Sequence, residues 1–248
     1  MTPCPRMTGL RQIPAAIMLL GTLWLSGCAT QTNLPADSGG DPAEAYTRLG
    51  VAYLERDNLP RAMNALDRAL EIDPGDAEAL QAMAMVHQRQ GESALASEMF
   101  QRAIQADPSF TRARNNYAAF LYDRGRIAEA CEQLQQASQD TQYDNRGQLF
   151  ANLGQCRLEM GDVTAARESL ARAQAIDPRS ARSYFLLAEL EAAQGNLDRA
   201  EQQLERYMRL AGPRAEALRL ARDIARQRGD AATAEFYADQ LETTRAGP

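Results

Sequence analysis

The sequence predicts an all-α fold, an α-solenoid built from six stacked helical hairpins of one kind. Ala and Leu are frequent, and aromatic residues make up only 6% of the 248 residues, which favours helix over sheet. One pattern of small and apolar residues also recurs with a period of 34 residues. Repetition at such a period indicates hairpins that bury their apolar faces against their neighbours.

The repeat is clearest in residues 43–76, where Tyr46, Leu49, Gly50 and Tyr53 occupy positions 4, 7, 8 and 11 of a 34-residue frame. The other frames are 77–110, 111–144, 147–180, 181–214 and 215–248, the fourth after an insertion of two residues. Position 20 is always Ala, namely Ala62, Ala96, Ala130, Ala166, Ala200 and Ala234. Position 15 is Gly91, Gly125, Gly161, Gly195 and Gly229, with Asp57 in the first frame. The pattern resembles the tetratricopeptide repeat (TPR), and the resemblance implies a right-handed superhelix with an inner groove.

Each repeated feature has a physical reason. Small residues at positions 8 and 20 let the two helices of a hairpin approach closely. Glycine at position 15 permits a positive φ in the turn between the helices. Proline near the end of a frame stops the second helix, and Asp76, Ser109 and Ser180 are then expected to cap the following helix.

Residues 1–27 are expected to be a lipoprotein signal peptide and not part of the fold. Arg6 and Arg11 precede the apolar run Ile13–Leu25, which as a helix of about 20 Å is shorter than a bilayer core of about 30 Å. The run ends Leu25-Ser26-Gly27-Cys28 and resembles the bacterial lipobox. Cys28 is therefore the expected lipid attachment site, and the alternative is a secreted protein with an incidental cysteine.

The lipobox resemblance also implies a location. Asp does not follow Cys28, and this absence implies the outer membrane, with the chain facing the periplasm of a Gram-negative bacterium. Residues 28–42 contain Gly, Pro and short polar residues without periodicity, so we expect a lipidated flexible stalk before the six repeats at 43–248.

Two further cysteines are expected to form a disulfide. Cys131 is at position 21 of the third frame and Cys156 at position 10 of the fourth, positions that should meet where the two hairpins pack. The periplasm is oxidising, so we predict a bridge, with two buried free thiols as the alternative. The bridge would support the least regular repeat, which has Arg114 at position 4 and the loop Gln139–Arg146.

The composition argues against several classes of function. The formal net charge of −6 gives no indication of nucleic-acid binding. The only histidine, His87 at position 11, is more typical of a packing residue than of a base or a metal ligand. No phosphate-binding loop, zinc-protease helix or paired CxxC is present. We therefore expect a non-enzymatic protein with no catalytic residue, metal, cofactor or small-molecule substrate.

Partner binding is expected on the inner groove, which in TPR proteins is lined by positions 2, 5, 9 and 12 of each first helix. Val51, Leu54, Met85 and Tyr122 would form an apolar strip there, and Gln88 and Asn115 also lie at groove positions. Exposed apolar strips in grooves often receive an amphipathic helix of another protein. The alternatives are that the superhelix closes over the strip or that these side chains face another way.

The whole architecture, from the lipobox through the stalk to six TPRs and the Cys131/Cys156 pair, resembles the PilF/PilW family of type IV pilus lipoproteins. The resemblance implies a pilotin that localises the outer-membrane secretin and promotes its multimerisation for pilus biogenesis and twitching motility. The implied partners are the secretin and other pilus proteins, the membrane through the N-terminal lipid, and no nucleic acid; the soluble part is expected to be monomeric. The alternative is a TPR lipoprotein adaptor that recruits peptidoglycan hydrolases or proteases at the cell envelope.

Overall fold

Residues 41–245 are described by a computed structural model, and they form twelve α-helices with no strand in this range. The helices are α1 Pro42–Glu55, α2 Leu59–Ile72, α3 Ala77–Gln90, α4 Ser93–Ala106, α5 Thr111–Asp123, α6 Ile127–Ala137, α7 Arg146–Glu159, α8 Val163–Ile176, α9 Ala181–Ala193, α10 Leu197–Ala211, α11 Ala215–Gln227 and α12 Ala231–Arg245. Consecutive helices pair into six hairpins, which confirms the predicted all-α solenoid. The predicted signal peptide, Cys28 and nearly all of the predicted stalk lie outside the described residues.

The first helix of each hairpin begins within one residue of the start of its predicted frame. Two of the three expected N-terminal caps, however, do not form. Asp76 caps α3, since its carboxylate accepts the backbone N–H groups of Glu78 and Ala79 at 2.9 and 3.0 Å. Ser180 is at the N-cap of α9 but its side chain makes no capping bond there. Ser109 precedes the N-cap of α5, and its hydroxyl donates to Asp107 at 2.6 Å instead.

Both of these serines follow an Asp-Pro turn that is closed by a local hydrogen bond. The carboxylates of Asp107 and Asp177 accept the backbone N–H of the residue two positions later, at 2.8 Å from Ser109 and 3.0 Å from Arg179. Such Asx turns close the connection locally. The turn therefore depends on the aspartate before proline and not on the serine after it.

The two helices of each hairpin approach closely because small residues lie between them. A Cβ atom built on Gly50 would lie 2.5 Å from Leu66 Cγ, and one on Gly154 would lie 2.6 Å from Leu170 Cγ. The alanines at position 20 are fully buried in five repeats and 7% exposed in the sixth. The roles predicted for positions 8 and 20 are thus confirmed.

The turn at position 15 also has the predicted conformation. Its five glycines have φ between 72° and 81°, and Asp57 is at φ 57° as the only non-glycine residue with positive φ among the described residues. No heavy atom lies within 4 Å of a Cβ built on these glycines. Glycine is favoured here by backbone conformation alone and not by packing.

The first helices of the hairpins form one side of the solenoid. Within residues 41–245, each of α1, α3, α5, α7 and α9 packs against the next first helix in the series. The backbones of successive second helices lie farther apart, with a side-chain hydrogen bond of 2.9 Å from Gln174 to Gln203 between α8 and α10. The stack is therefore more tightly spaced along its first helices. We call the surface formed by these helices the inner face.

Neighbouring hairpins are joined through position 21 of the second helix, and the chemistry of the joint changes along the stack. Met63 packs against the apolar core at the first junction. The other four are a Ser97–Tyr117 hydrogen bond, the Cys131–Cys156 disulfide, the Arg167–Glu191 ion pair and the Glu201–Arg228 ion pair.

The predicted disulfide is present at the third junction. Cys131 and Cys156 are bonded, with their Cα atoms 5.6 Å apart. The bridge joins α6, which at 11 residues is the shortest of the described helices, to α7 across the inserted loop. The covalent link therefore lies where the repeat is least regular.

An ion pair with a buried carboxylate, Arg167–Glu191, occupies the fourth junction. Glu191 is 2% exposed, and its carboxylate accepts from Arg167 Nε at 2.6 Å and from Asn196 Nδ2 at 2.7 Å. Burial acts to raise the pKa of Glu191, but the two hydrogen bonds and the charge of Arg167 outweigh it and lower the pKa below its ordinary value. The carboxylate is thus held in its charged form.

Removing the disulfide is expected to weaken the solenoid. The double substitution Cys131→Ala and Cys156→Ala should lower the unfolding free energy by about 3 kcal/mol, because the bridge restricts the unfolded chain over a separation of 25 residues. Urea unfolding with and without reductant measures this, and only the unsubstituted protein should respond to reductant. A non-reduced digest that yields the two cysteine peptides unlinked would contradict the bridge.

The ion pair at the fourth junction predicts a pH-dependent loss of stability. Glu191→Gln should lower the unfolding free energy at pH 7 by about 1–2 kcal/mol, because the Arg167 guanidinium loses its charged partner. Since the folded pKa is lowered, the contribution of Glu191 is present above an unfolded pKa of about 4.3 and is lost as the pH falls through the folded pKa. Urea midpoints of the two proteins should therefore converge below about pH 4. Glu129→Gln, at an exposed pair with Arg126, is the matched control and should have little effect; a difference for Glu191→Gln that is constant with pH would refute the assignment.

Candidate protein-binding surface on the inner face

Of the six predicted groove residues, four are half-buried on the surface and two are buried. Val51, Met85, Gln88 and Tyr122 are half-buried on the first helices. Leu54 is 3% exposed and belongs to the main buried apolar cluster. Its assignment to the partner-binding surface is therefore corrected, because a side chain in the core offers a partner almost no area.

Asn115 is also buried, but it contributes to a polar floor beneath the inner face. Position 5 carries Thr47, Gln81 and Asn115 in the first three repeats, all less than 9% exposed. Asn115 Oδ1 accepts from Asn152 Nδ2 at 3.2 Å. Gln81 Nε2 contacts Met85 Sδ at 3.4 Å, and the Gln81 oxygen has no donor among the described residues.

Polar bonds connect successive first helices along this face. At position 2, Arg112 donates to the Glu78 carboxylate at 2.6 Å, which joins α5 to α3. On α7, Gln155 donates to the Tyr122 hydroxyl of α5 at 2.8 Å. Tyr122 in turn donates to Glu159 at 3.0 Å. The pKa of Tyr122 is raised, mainly by desolvation of its hydroxyl and to a smaller extent by the hydrogen bond to Glu159. The hydroxyl therefore remains protonated at neutral pH.

A cavity of about 390 Å³ opens between α5, α7 and α9. Its lining combines an apolar side with six polar residues, Tyr122, Asp123, Gln148, Asn152, Gln155 and Arg182. Concave sites of this size with a few convergent polar groups are typical of binding sites. Of these six residues, only Tyr122 belongs to the set of groove residues predicted above. The packing of α7 and α9 against α5 brings Asn152 and Arg182 to it.

A second apolar area lies on the outer side of α1. Tyr46 and Leu49 are 39% and 43% exposed, whereas their equivalents in the second repeat, Leu80 and Met83, are 1% and 4% exposed. Among the described residues, no helix precedes α1 in the stack.

The histidine and the acidic residues form no reactive cluster among the described residues. His87 Nδ1 lies 2.6 Å from Glu92 Oε2, which gives the ring a local partner. Within residues 41–245, no group of three or more His, Cys, Asp or Glu side chains is placed to hold a metal ion. In the same range, no helix is both long enough and apolar enough to span a membrane.

Comparison with known proteins identifies the repeat and the family. Patterns described as "Tetratricopeptide repeat" match residues 43–76, 82–145 and 157–224. The type IV pilus assembly protein PilF of Pseudomonas aeruginosa is 35% identical over 239 residues, which cover 95% of each chain. The chain belongs to the PilF/PilW family. The resemblance noted in the sequence is thereby confirmed.

Solved structures of PilF/PilW family members have the same fold. The structure titled "Functional Characterization of Pseudomonas Aeruginosa pilF" is 34% identical with a TM-score of 0.75, and the match covers 84% of this chain and 93% of that one. A crystal structure of PilW, titled a widely conserved type IV pilus biogenesis factor, is 26% identical with a TM-score of 0.74, covering 84% and 96%.

Proposed function

We propose that this protein is an outer-membrane lipoprotein that acts as a pilotin in type IV pilus biogenesis. In this role it binds the secretin subunit, brings it to the outer membrane and promotes its assembly into a ring. The observation that carries the proposal is the 35% identity to PilF over 95% of both chains. A match of that extent includes the N-terminal segment as well as all six repeats.

The lipid on Cys28 would supply the membrane address. The lipobox Leu25-Ser26-Gly27-Cys28 is a property of the sequence, and lipid attachment lies outside the described residues. Several acyl chains together anchor a protein stably, whereas one alone binds only marginally. Tethering would raise the effective concentration of the repeats near a secretin subunit without any new contact.

The inner face would supply the binding surface. Val51 and Met85 are half-buried apolar side chains at position 9 of neighbouring first helices. They border the polar floor, which is an arrangement suited to an amphipathic segment of a partner. Binding and holding require no reacting group, so the role we propose is a non-enzymatic one.

Loss of the lipid is expected to separate localisation from folding. Cys28→Ser should leave helix content and thermal stability unchanged, because the residue precedes the solenoid, yet shift secretin multimers away from the outer-membrane fraction. Membrane fractionation and immunoblotting of the complemented deletion strain would measure this. Cys4→Ser, within the predicted leader, is the matched control. Normal amounts of outer-membrane secretin multimers in the Cys28→Ser strain would contradict the proposal.

Charge placed on the inner face is expected to block the partner. Val51→Glu should reduce the yield of secretin multimers several-fold, since it puts a carboxylate into an apolar contact. Leu95→Glu on α4 is the matched control, because Leu95 is a 42% exposed apolar residue of a second helix. Equal secretin assembly in the two strains, at equal protein levels, would argue against the inner face as the secretin-binding surface.

A further inference from the structure

Arg182 is the cation of the inner-face cavity, and it has only neutral partners. Its Nη1 donates to Asn152 Oδ1 at 2.9 Å and its Nη2 donates to Gln155 Oε1. Among the salt bridges of residues 41–245, none involves Arg182. A guanidinium thus lies in a concave site with no carboxylate of the described residues within salt-bridge distance.

The contrast with Arg112 shows that this arrangement is not a general property of the face. Arg112 and Arg182 both occupy position 2 of a first helix, in the third and fifth repeats. Arg112 is neutralised by Glu78 at 2.6 Å, whereas the residue facing Arg182 from the preceding repeat is an amide. Two equivalent arginines therefore differ in whether their charge is already satisfied.

The amides around Arg182 are themselves held in place. Asn152 donates through its Nδ2 to the buried Asn115, and Gln155 donates through its Nε2 to Tyr122. Each amide therefore directs its oxygen towards the guanidinium. This support orients the planar fork of Arg182, whose remaining N–H groups can bind a carboxylate with two parallel hydrogen bonds.

We infer that the Arg182 cavity recognises an Asp or Glu side chain within an extended segment of a protein partner. The charge complementarity favours a carboxylate, and a cavity of about 390 Å³ accommodates such a side chain. The first helices α1 and α3 continue the inner face on one side and α11 on the other, so a segment can extend past the cavity in both directions. This inference deepens the proposed function, since it assigns part of the partner's chemistry.

The Asp123 carboxylate is expected to weaken binding of an acidic side chain in this cavity. Asp123 also lines the cavity, and it would repel a bound acid while Arg182 attracts it. Glu159 lies nearby and accepts a hydrogen bond from the Tyr122 hydroxyl. The two charged lining residues therefore predict opposite effects of substitution, which a merely structural role of either would not produce.

The test uses the purified full chain and three pools of nonapeptides with randomised flanks. The first pool has a central Glu and blocked ends, the second a central Gln and blocked ends, and the third a central Gln and a free C-terminal carboxylate. Fluorescence polarisation should show the Glu pool binding about tenfold more tightly than the blocked Gln pool, a difference of the size expected for a charged hydrogen-bonded pair. Binding of the Glu pool should weaken as salt rises.

Substitutions complete the test. Arg182→Gln should abolish the preference for Glu, Arg182→Lys should retain part of it, and Asp123→Asn should strengthen it. Arg112→Gln is the control at the equivalent position and should leave the preference unchanged, with circular dichroism confirming that all variants fold. Equal binding of the two blocked pools, no binding of any pool, or a preference for the free C-terminus alone would each overturn the inference. If the peptide result holds while secretin assembly does not depend on the protein, the pilotin proposal fails and the acid-binding site remains.

Discussion

The structure depends on one constraint: a single helical hairpin cannot bury its apolar face, so each repeat is stable only against the next one. Position 21 of the second helix is the place where this dependence is most direct. At the last four junctions its partner lies on the first helix of the following repeat or, for Arg228, directly after that helix. The link is a hydrogen bond, a disulfide or an ion pair. A solenoid of this kind has no single core that could compensate for a weak junction.

The irregular middle of the solenoid illustrates how that constraint is met. Between the third and fourth repeats the second helix is short and the connection is longer than the repeat requires. The disulfide restricts the chain at this point without needing additional buried area. One junction later, the ion pair of Arg167 with the buried Glu191 lies beside an apolar cluster that includes Leu170 and Leu187. The benefit of this pair depends on both partners remaining ionised.

Regular stacking also determines the character of the inner face. First helices lie close enough for side chains at positions 2, 5, 6 and 9 to bond across repeats, as Arg112 does with Glu78 and Asn152 with Asn115. The same spacing leaves apolar side chains such as Val51 and Met85 beside a polar floor. A surface with both kinds of contact fits a scaffold that binds a segment of another protein, and a lipid at Cys28 would restrict where such binding occurs.

The sequence by itself determined the fold, because features set by local backbone geometry repeat in it. The glycines at position 15, the alanines at position 20 and the Cys131/Cys156 pair were all in predictable places, since frame position fixes helix, turn and neighbour. What the frame could not decide was the direction and satisfaction of individual side chains. Leu54 turned into the core, Ser109 paired with Asp107 instead of capping α5, and Arg182 met two amides from another repeat. The surroundings of Leu54 and Arg182 depend on distances between helices that are far apart in sequence, whereas the Ser109 bond is a local choice between two partners. The frame carries no information on either, so the three-dimensional structure was needed to decide them.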